Sequence, residues 1–177
     1  MKILFMCLLV GLISRGAYAL KVGDPAPVVQ APWTGSETFI SPTEFTGRWL
    51  VVYFYPRSFT PGCTAEACSL RDAHAEIQKA GATILGVSVD NLQKQRDFKA
   101  KYNLPFELVS DTQKEWSKAF GALGLGGLMS QRKTFLIAPD NRIAYIFEKA
   151  KTAGHDEEVL AKLKELQGAS PTSGSER

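Results

Sequence analysis

Hydrophobic positions along the chain alternate between a strand-like and a helical pattern. Trp49-Leu50-Val51-Val52-Tyr53-Phe54-Tyr55 is an unbroken apolar run rich in β-branched and aromatic residues, which predicts a strand buried on both faces. Ala82-Thr83-Ile84-Leu85-Gly86-Val87-Ser88-Val89 predicts a second such strand. Between them Ala67, Leu70, His74 and Ile77 recur at helical spacing, so one helix is expected from about residue 61 to 79, closed by Gly81. Asp90 or Asn91 caps a further helix through Tyr102, with Leu92, Phe98 and Tyr102 inward. Short strands are expected at 28–33 and 38–41 around the turn Thr34-Gly35-Ser36, and again at 106–109. Ser41-Pro42-Thr43-Glu44 reads as a helix start, and a helix over 111–120 leads into the glycine-rich segment 121–127. Runs at 134–138 and 143–148 flank the hairpin signal Pro139-Asp140-Asn141. Val159, Leu160, Leu163 and Leu166 mark a last helix over 155–167. Strand–helix alternation followed by a hairpin and a final helix predicts an α/β domain with a central mixed sheet and helices on both faces.

The most informative local feature follows the first buried strand. Thr60 is a good N-cap residue, Pro61 suits the first helical position, and Gly62 and Cys63 come next. The Cys63 sulfur then sits near unpaired backbone N–H groups at the positive end of a helix dipole. Such a site favours the thiolate, the nucleophilic form of cysteine. Cys68 follows five residues later. In an intact helix, positions five apart point about 140° from each other and rise by about 7.5 Å. A disulfide needs Cα atoms within about 7 Å and converging Cβ vectors. The pair can therefore join only if the helix unwinds locally, which suits a redox switch better than a structural staple.

Composition narrows the picture. A chain of 177 residues fits one domain, with 45% hydrophobic and 22% charged residues. Met1-Lys2, the apolar run from Ile3 to Ile13 and the small-x-small motif Ala17-Tyr18-Ala19 resemble a secretory leader over 1–19, although Arg15 is atypical. The run is too short for a permanent membrane anchor. Lys2 and Arg15 account for most of the net charge of +3, which argues against a basic surface for nucleic acid or a polybasic membrane patch. The domain is expected over 20–167, exported to a periplasmic or secreted location, with a disordered tail over 168–177. Cleavage removes Cys7 and leaves Cys63 and Cys68 as the cysteines of the mature chain.

The spacing Pro56-x-x-x-Thr60-x-x-Cys63 resembles the peroxiredoxin active-site motif. The longer string Tyr53-Phe54-Tyr55-Pro56 … Thr60-Pro61-Gly62-Cys63-Thr64-x-Glu66-Ala67-Cys68-x-x-Arg71-Asp72 resembles the subgroup called bacterioferritin comigratory protein or peroxiredoxin Q. Similarity continues through Val22-Gly23-Asp24-x-Ala26-Pro27, Gly86-Val87-Ser88-Val89-Asp90, Leu104-Pro105-Phe106 … Ser110-Asp111 and Arg132-x-Thr134-Phe135-Leu136-Ile137. The resemblance implies a thioredoxin-like fold and a thiol peroxidase that reduces hydrogen peroxide and organic hydroperoxides without metal or organic cofactor. It implies that Cys63 is peroxidatic and Cys68 resolving, through a sulfenic acid and an intramolecular disulfide. A thioredoxin-like dithiol protein then restores both thiols. Thr60 and Arg132 are implied to contact sulfur or peroxide, the backbone at Gly62 to hold peroxide oxygen, and Pro56 to shield the site. With both sulfurs on one helix, a monomer suffices. Two departures stand out: Ala138 where related sequences are often acidic, and the glycine-rich loop Leu123-Gly124-Leu125-Gly126-Gly127-Leu128-Met129 before Arg132.

Other readings of the same residues are weaker. An exported thiol–disulfide exchange protein or metallochaperone-like module usually carries Cys-x-x-Cys or Cys-x-x-x-Cys, not Cys-x4-Cys. A zinc site would need His74 and His155 beside cysteines whose spacing misses the usual ligand pattern. His74 reads as a core or boundary residue and His155 as a helix start. Glu66 reads as support for the first helical turn through the dipole. The glycines at 121–127 follow a helix rather than a strand, unlike a dinucleotide loop.

Overall fold

The computed structural model describes residues 20–169; the expected leader at 1–19 and residues 170–177 of the expected tail lie outside the described residues. Among the described residues seven strands form one sheet: β1 (Ala31–Trp33), β2 (Ser36–Ile40), β3 (Trp49–Phe54), β4 (Ala82–Ser88), β5 (Glu107–Ser110), β6 (Lys133–Ile137) and β7 (Ile143–Phe147). Their order is β2-β1-β5-β4-β3-β6-β7. β3 runs parallel to β4 and antiparallel to β6. β5 runs parallel to β4, so the sheet is mixed.

The described α-helices that cover it are α1 (Pro61–Asp72), α2 (His74–Lys79), α3 (Leu92–Lys101), α4 (Glu115–Ala119) and α5 (His155–Ala169). β3 alternates between two cores, as its all-apolar sequence requires. Val51, Tyr53 and Tyr55 join Ala67 and Leu70 of α1, Phe98 of α3, and Val159 and Leu163 of α5. Leu50, Val52 and Phe54 join Trp116 of α4, Phe120, Phe135 and Ile40 on the other face. This is the thioredoxin-like fold of the sequence reading, with helices on both faces.

Five elements differ from expectation. The helix read as continuous over 61–79 is broken at Ala73, whose φ and ψ of −91° and 1° leave the helical region. Alanine is the best helix former, so tertiary packing imposes this break. The helix expected over 111–120 begins only at Glu115. Lys114 adopts a left-handed φ of 63°. The Asp111 carboxylate takes the N–H groups of Trp116 and Ser117 at 3.0 and 2.8 Å, so Asp111 neutralises the start of α4 from outside the helix. Gly168 and Ala169, expected in the tail, continue α5. The early strand expected from residue 28 starts at Ala31, and the Ser41 segment forms a single 3-10 turn closed by a Ser41–Glu44 capping box.

Candidate active site

β3 and β4 are parallel neighbours, so the chain leaves both at the same edge of the sheet. The loop after β3 and the segment before α3 are thereby adjacent, and a buried polar network joins them. Ser58 donates its N–H to Asp90 Oδ2 at 2.6 Å. Ser88 donates to the same oxygen at 2.9 Å, and Lys94 Nζ donates to Oδ1 at 2.6 Å. Burial opposes the Asp90 charge, but these donors outweigh it and hold its pKa below the ordinary range. Tyr55 donates its hydroxyl to Gln95 Oε1 at 2.5 Å, while Gln95 donates to Ser88 Oγ and Val109 O, each at 3.0 Å. Phe59 then takes a left-handed φ of 69° and packs on Phe98, turning the chain into α1.

Thr60 is the N-cap residue of α1, as expected, with extended backbone angles. Its side chain makes no capping bond; the hydroxyl donates to Arg57 O at 3.0 Å. Its single proton is therefore not directed at the sulfur. The first helical rung runs from Thr64 N–H to Thr60 O at 2.9 Å. The N–H groups of Gly62 and Cys63 lie ahead of that rung, at the positive end of the helix.

Cys63 is 1% exposed. Arg132 Nη2 donates to its sulfur at 3.3 Å, and Arg132 Nη1 forms an ion pair with Glu66 Oε2. Glu66 is fully buried, whereas the Arg132 side chain keeps 18% exposure. Burial pushes the Glu66 carboxyl pKa upward, against the opposing pull of Arg132. Burial likewise opposes the Arg132 charge, and Glu66 and Cys63 more than compensate it. One cation thus serves two potential anions.

The arginine is well supported. The loop preceding it is tied by Gln131 N–H to Ala122 O at 2.7 Å and by the Ser117–Ser130 hydroxyl pair at 2.8 Å. Gly62 allows the start of α1 to approach it closely. A Cβ at Gly62 would sit 3.4 Å from Arg132 Nη2 and 3.2 Å from Thr152 Cγ2.

Cys68 is half-buried on the same helix, and both cysteines are free thiols. Arg71 is bonded to Asp72 at 2.8 Å and to Tyr102 O at 3.0 Å; its pKa is raised by Asp72 first and to a smaller extent by the neighbouring Cys68 side chain. Pro56 stands half-buried just beyond β3. Of the expected residues, the fold brings Cys63, Arg132 and Gly62 together. It leaves Cys68 one helical stretch away and directs the Thr60 hydroxyl elsewhere.

Glu66 exceeds its expected role as dipole support. Its signal was its place on the inward face, three residues after Cys63 and four before Leu70. Gln95 carries the same signal, a polar residue three before Phe98. His155 begins α5 as expected but is buried, with Nε2 and the Thr134 hydroxyl 2.8 Å apart. Burial lowers its pKa, Glu158 opposing in part. Among the described residues no group of His, Cys, Asp and Glu is arranged to hold a metal ion, and no helix is long and apolar enough to cross a membrane.

Comparison with known proteins agrees with this geometry. Residues 22–146 match the model of the AhpC/TSA family. Peroxiredoxin Bcp of Escherichia coli is 40% identical over 152 residues, covering 82% of this chain and 97% of that protein. The structure of a Xylella fastidiosa PrxQ mutant superposes with a TM-score of 0.77 at 33% identity, covering 84% of this chain and 98% of the other. A Xanthomonas campestris bacterioferritin comigratory protein, studied for its alkyl peroxide reduction activity, gives a TM-score of 0.74 at 35% identity, covering 80% and 98% of the two chains. With a cysteine in the first turn of a helix and an arginine on its sulfur, in a fold shared almost end to end with these proteins, the chain belongs to the AhpC/TSA family as a peroxiredoxin of the Bcp/PrxQ kind, a thiol-dependent peroxidase.

Proposed function

We propose that Cys63 is the peroxidatic cysteine and Cys68 the resolving one. The observation that carries this reading is Arg132 Nη2 lying 3.3 Å from a buried Cys63 sulfur. A guanidinium in that position favours the thiolate and, as the O–O bond breaks, the negative oxygen that leaves. The Cys63 thiolate attacks one peroxide oxygen, the other departs with the bonding pair and takes up a proton, and Cys63 becomes a sulfenic acid. The N–H groups of Gly62 and Cys63 supply further donors to the peroxide. Thr60, its proton engaged with Arg57 O, contributes as an acceptor for a peroxide O–H. Pro56 has no N–H to offer water at the mouth of the site.

The first turns of α1 then unwind, Cys68 condenses with the sulfenic acid, and a thioredoxin-like dithiol protein reduces the disulfide. The substrate class is hydrogen peroxide and organic hydroperoxides; the alkyl peroxide activity of the Xanthomonas relative supports the second. A small peroxide suits a sulfur that is 1% exposed, whereas a partner protein's disulfide does not, which disfavours direct thiol–disulfide exchange at Cys63. The leader-like segment supports export to the periplasm or beyond, and one helix bearing both sulfurs supports action as a monomer.

Stopped-flow Trp fluorescence with intact mass, on reduced wild type, Cys63→Ser and Cys68→Ser, tests the cycle. Wild type should form an intramolecular disulfide, Cys63→Ser should not react, and Cys68→Ser should stop at the sulfenic acid. A wild-type rate no greater than that of free cysteine refutes the reading. Sizing by ultracentrifugation and N-terminal sequencing of the exported protein test the monomer and the leader.

A further inference from the structure

Tyr53 lies fully buried on β3, on the face that packs against α1. Its hydroxyl has no hydrogen-bond partner among the described residues. The end of its ring is seated over Gly86 of β4: a Cβ there would come within 2.7 Å of Tyr53 Cζ and Oη, and equally close to Leu108 Cδ2. Tyr55 offers a contrast two residues on. It is equally buried, yet its hydroxyl is satisfied by Gln95 at 2.5 Å and faces Ser58 at 3.2 Å. The Tyr53 side chain shares one buried cluster with Cys63, Ala67 and Leu70 of α1, and burial above all raises its pKa.

The first half of α1 carries two more buried atoms without partners, Thr64 Oγ1 and Glu66 Oε1. Each such group raises the free energy of the state that buries it. Unwinding the first turns of α1 frees Thr64 and Glu66 and uncovers the face of the cluster to which Tyr53 belongs.

We propose that Tyr53 is a positioning residue for disulfide formation: its unpartnered hydroxyl, in the cluster that α1 covers, destabilises the intact packing of the helix and speeds the unwinding that lets Cys68 reach Cys63. This rests on the cysteine roles proposed above. In the step concerned, the Cys68 sulfur attacks the Cys63 sulfenic sulfur. The S–S bond forms, the S–O bond breaks, and the oxygen leaves as water with the Cys68 proton. In the competing step a second peroxide oxidises the sulfenic acid to sulfinic acid and is itself reduced to alcohol or water. The lifetime of the intact helix decides between them.

The test compares wild type, Tyr53→Phe, Thr64→Val and Tyr55→Phe, each full length and reduced, mixed with hydrogen peroxide over a range of concentrations. Stopped-flow fluorescence separates sulfenic acid formation from disulfide formation, intact mass measures sulfinic acid, and thermal melting reports on the reduced form. Tyr53→Phe is expected to form its disulfide about tenfold more slowly, to accumulate sulfinic acid at lower peroxide, and to melt higher. Thr64→Val should shift in the same direction. Tyr55→Phe, losing a satisfied hydroxyl, should melt lower. Disulfide formation at the wild-type rate in both Tyr53→Phe and Thr64→Val overturns the proposal. So does a Tyr53→Phe effect confined to the first phase, which would put the hydroxyl at the sulfur instead. Absence of any disulfide in wild type would refute the cysteine roles themselves, a separate result.

Discussion

Arg132 provides the sharpest test of how the site is held, because it contacts both Cys63 and Glu66. Replacing it by leucine removes two interactions of different kinds. Toward the sulfur, a charge-assisted hydrogen bond is lost, which contributes about 1.5–3 kcal/mol in typical cases. If the full amount acts on the transition state, the second-order rate with peroxide falls by roughly 10- to 150-fold. Toward Glu66, a fully buried carboxylate loses its cation, and breaking a buried pair in this way costs about 3–5 kcal/mol of stability. The second effect depends on pH with a definite sign. Burial already raises the Glu66 pKa, and without Arg132 it rises further. The folded variant then binds a proton that the unfolded chain has released, so its stability falls as pH increases above the ordinary carboxylate range. The double variant Glu66→Gln/Arg132→Leu separates the two effects. It should recover most of the stability and lose the pH slope, yet remain slow with peroxide. The assays are urea denaturation at pH 6 and pH 9 and stopped-flow oxidation at each. A double variant that reacts within threefold of wild type would refute any direct action of Arg132 on the sulfur.

Three further outcomes follow from the packing. Gly86→Ala drives a methyl to within 2.7 Å of both Tyr53 and Leu108 and should cost about 1–3 kcal/mol in urea denaturation; an unchanged midpoint would mean that the Tyr53 ring shifts freely. Asp90→Ala strips the acceptor from Ser58 N–H and Ser88. It should lower both stability, by about 1–3 kcal/mol, and the rate of sulfenic acid formation, as the loop that launches α1 loses its tether; a drop in stability alone would make the network purely structural. His155 is buried with its pKa lowered, so the folded chain binds fewer protons than the unfolded one and stability is lost as pH falls below about 6.5. The difference in denaturation midpoint between wild type and His155→Gln should therefore shrink from pH 7 to pH 5; a constant difference contradicts a neutral buried imidazole.

What the chain reveals before folding depends on how local the cause is. β3 and β4 are legible because a continuous apolar run can be satisfied only between two layers. The start of α1 is legible because Thr60, Pro61 and Gly62 act within one turn, although the Thr60 hydroxyl turns to Arg57 O instead of capping the helix. The break at Ala73 is not, since it falls on the best helix former and the apolar helical spacing of Ala67, Leu70 and Ile77 runs straight through it. The late start of α4 hides a local device: Asp111 takes the N–H groups five and six positions beyond itself. Glu66 and Gln95 were visible only as polar residues on inward helical faces, a pattern that states burial without naming a partner. Their partners, Arg132 and Tyr55, lie 66 and 40 residues away. Arg132 itself carried no local signal and was reached only through family resemblance.

The two polar clusters flanking Cys63 hold different parts of the site, and the difference bears on the cycle. The Ser58–Asp90–Gln95 network holds the loop, and none of its members touches the reacting sulfur, so oxidation leaves it intact. The contact from Arg132 to α1 through Cys63 depends on the charge of that sulfur. In the proposed cycle the thiolate becomes a neutral sulfenic acid, and a bond to an ionised acceptor is exchanged for a weaker one to a neutral group. Arg132 keeps Glu66, but the first turn of α1 loses one of its restraints at the moment Cys68 must approach. The loop therefore stays fixed while the helix is released. On this argument, loosening the loop should impair the first chemical step, and altering the orphaned hydroxyls beside α1 should change the second. Asp90→Ala and Tyr53→Phe thus belong in the same experiment: they should slow different phases, and if both slow the same phase, the loop and the helix move together and the division of labour drawn here is wrong.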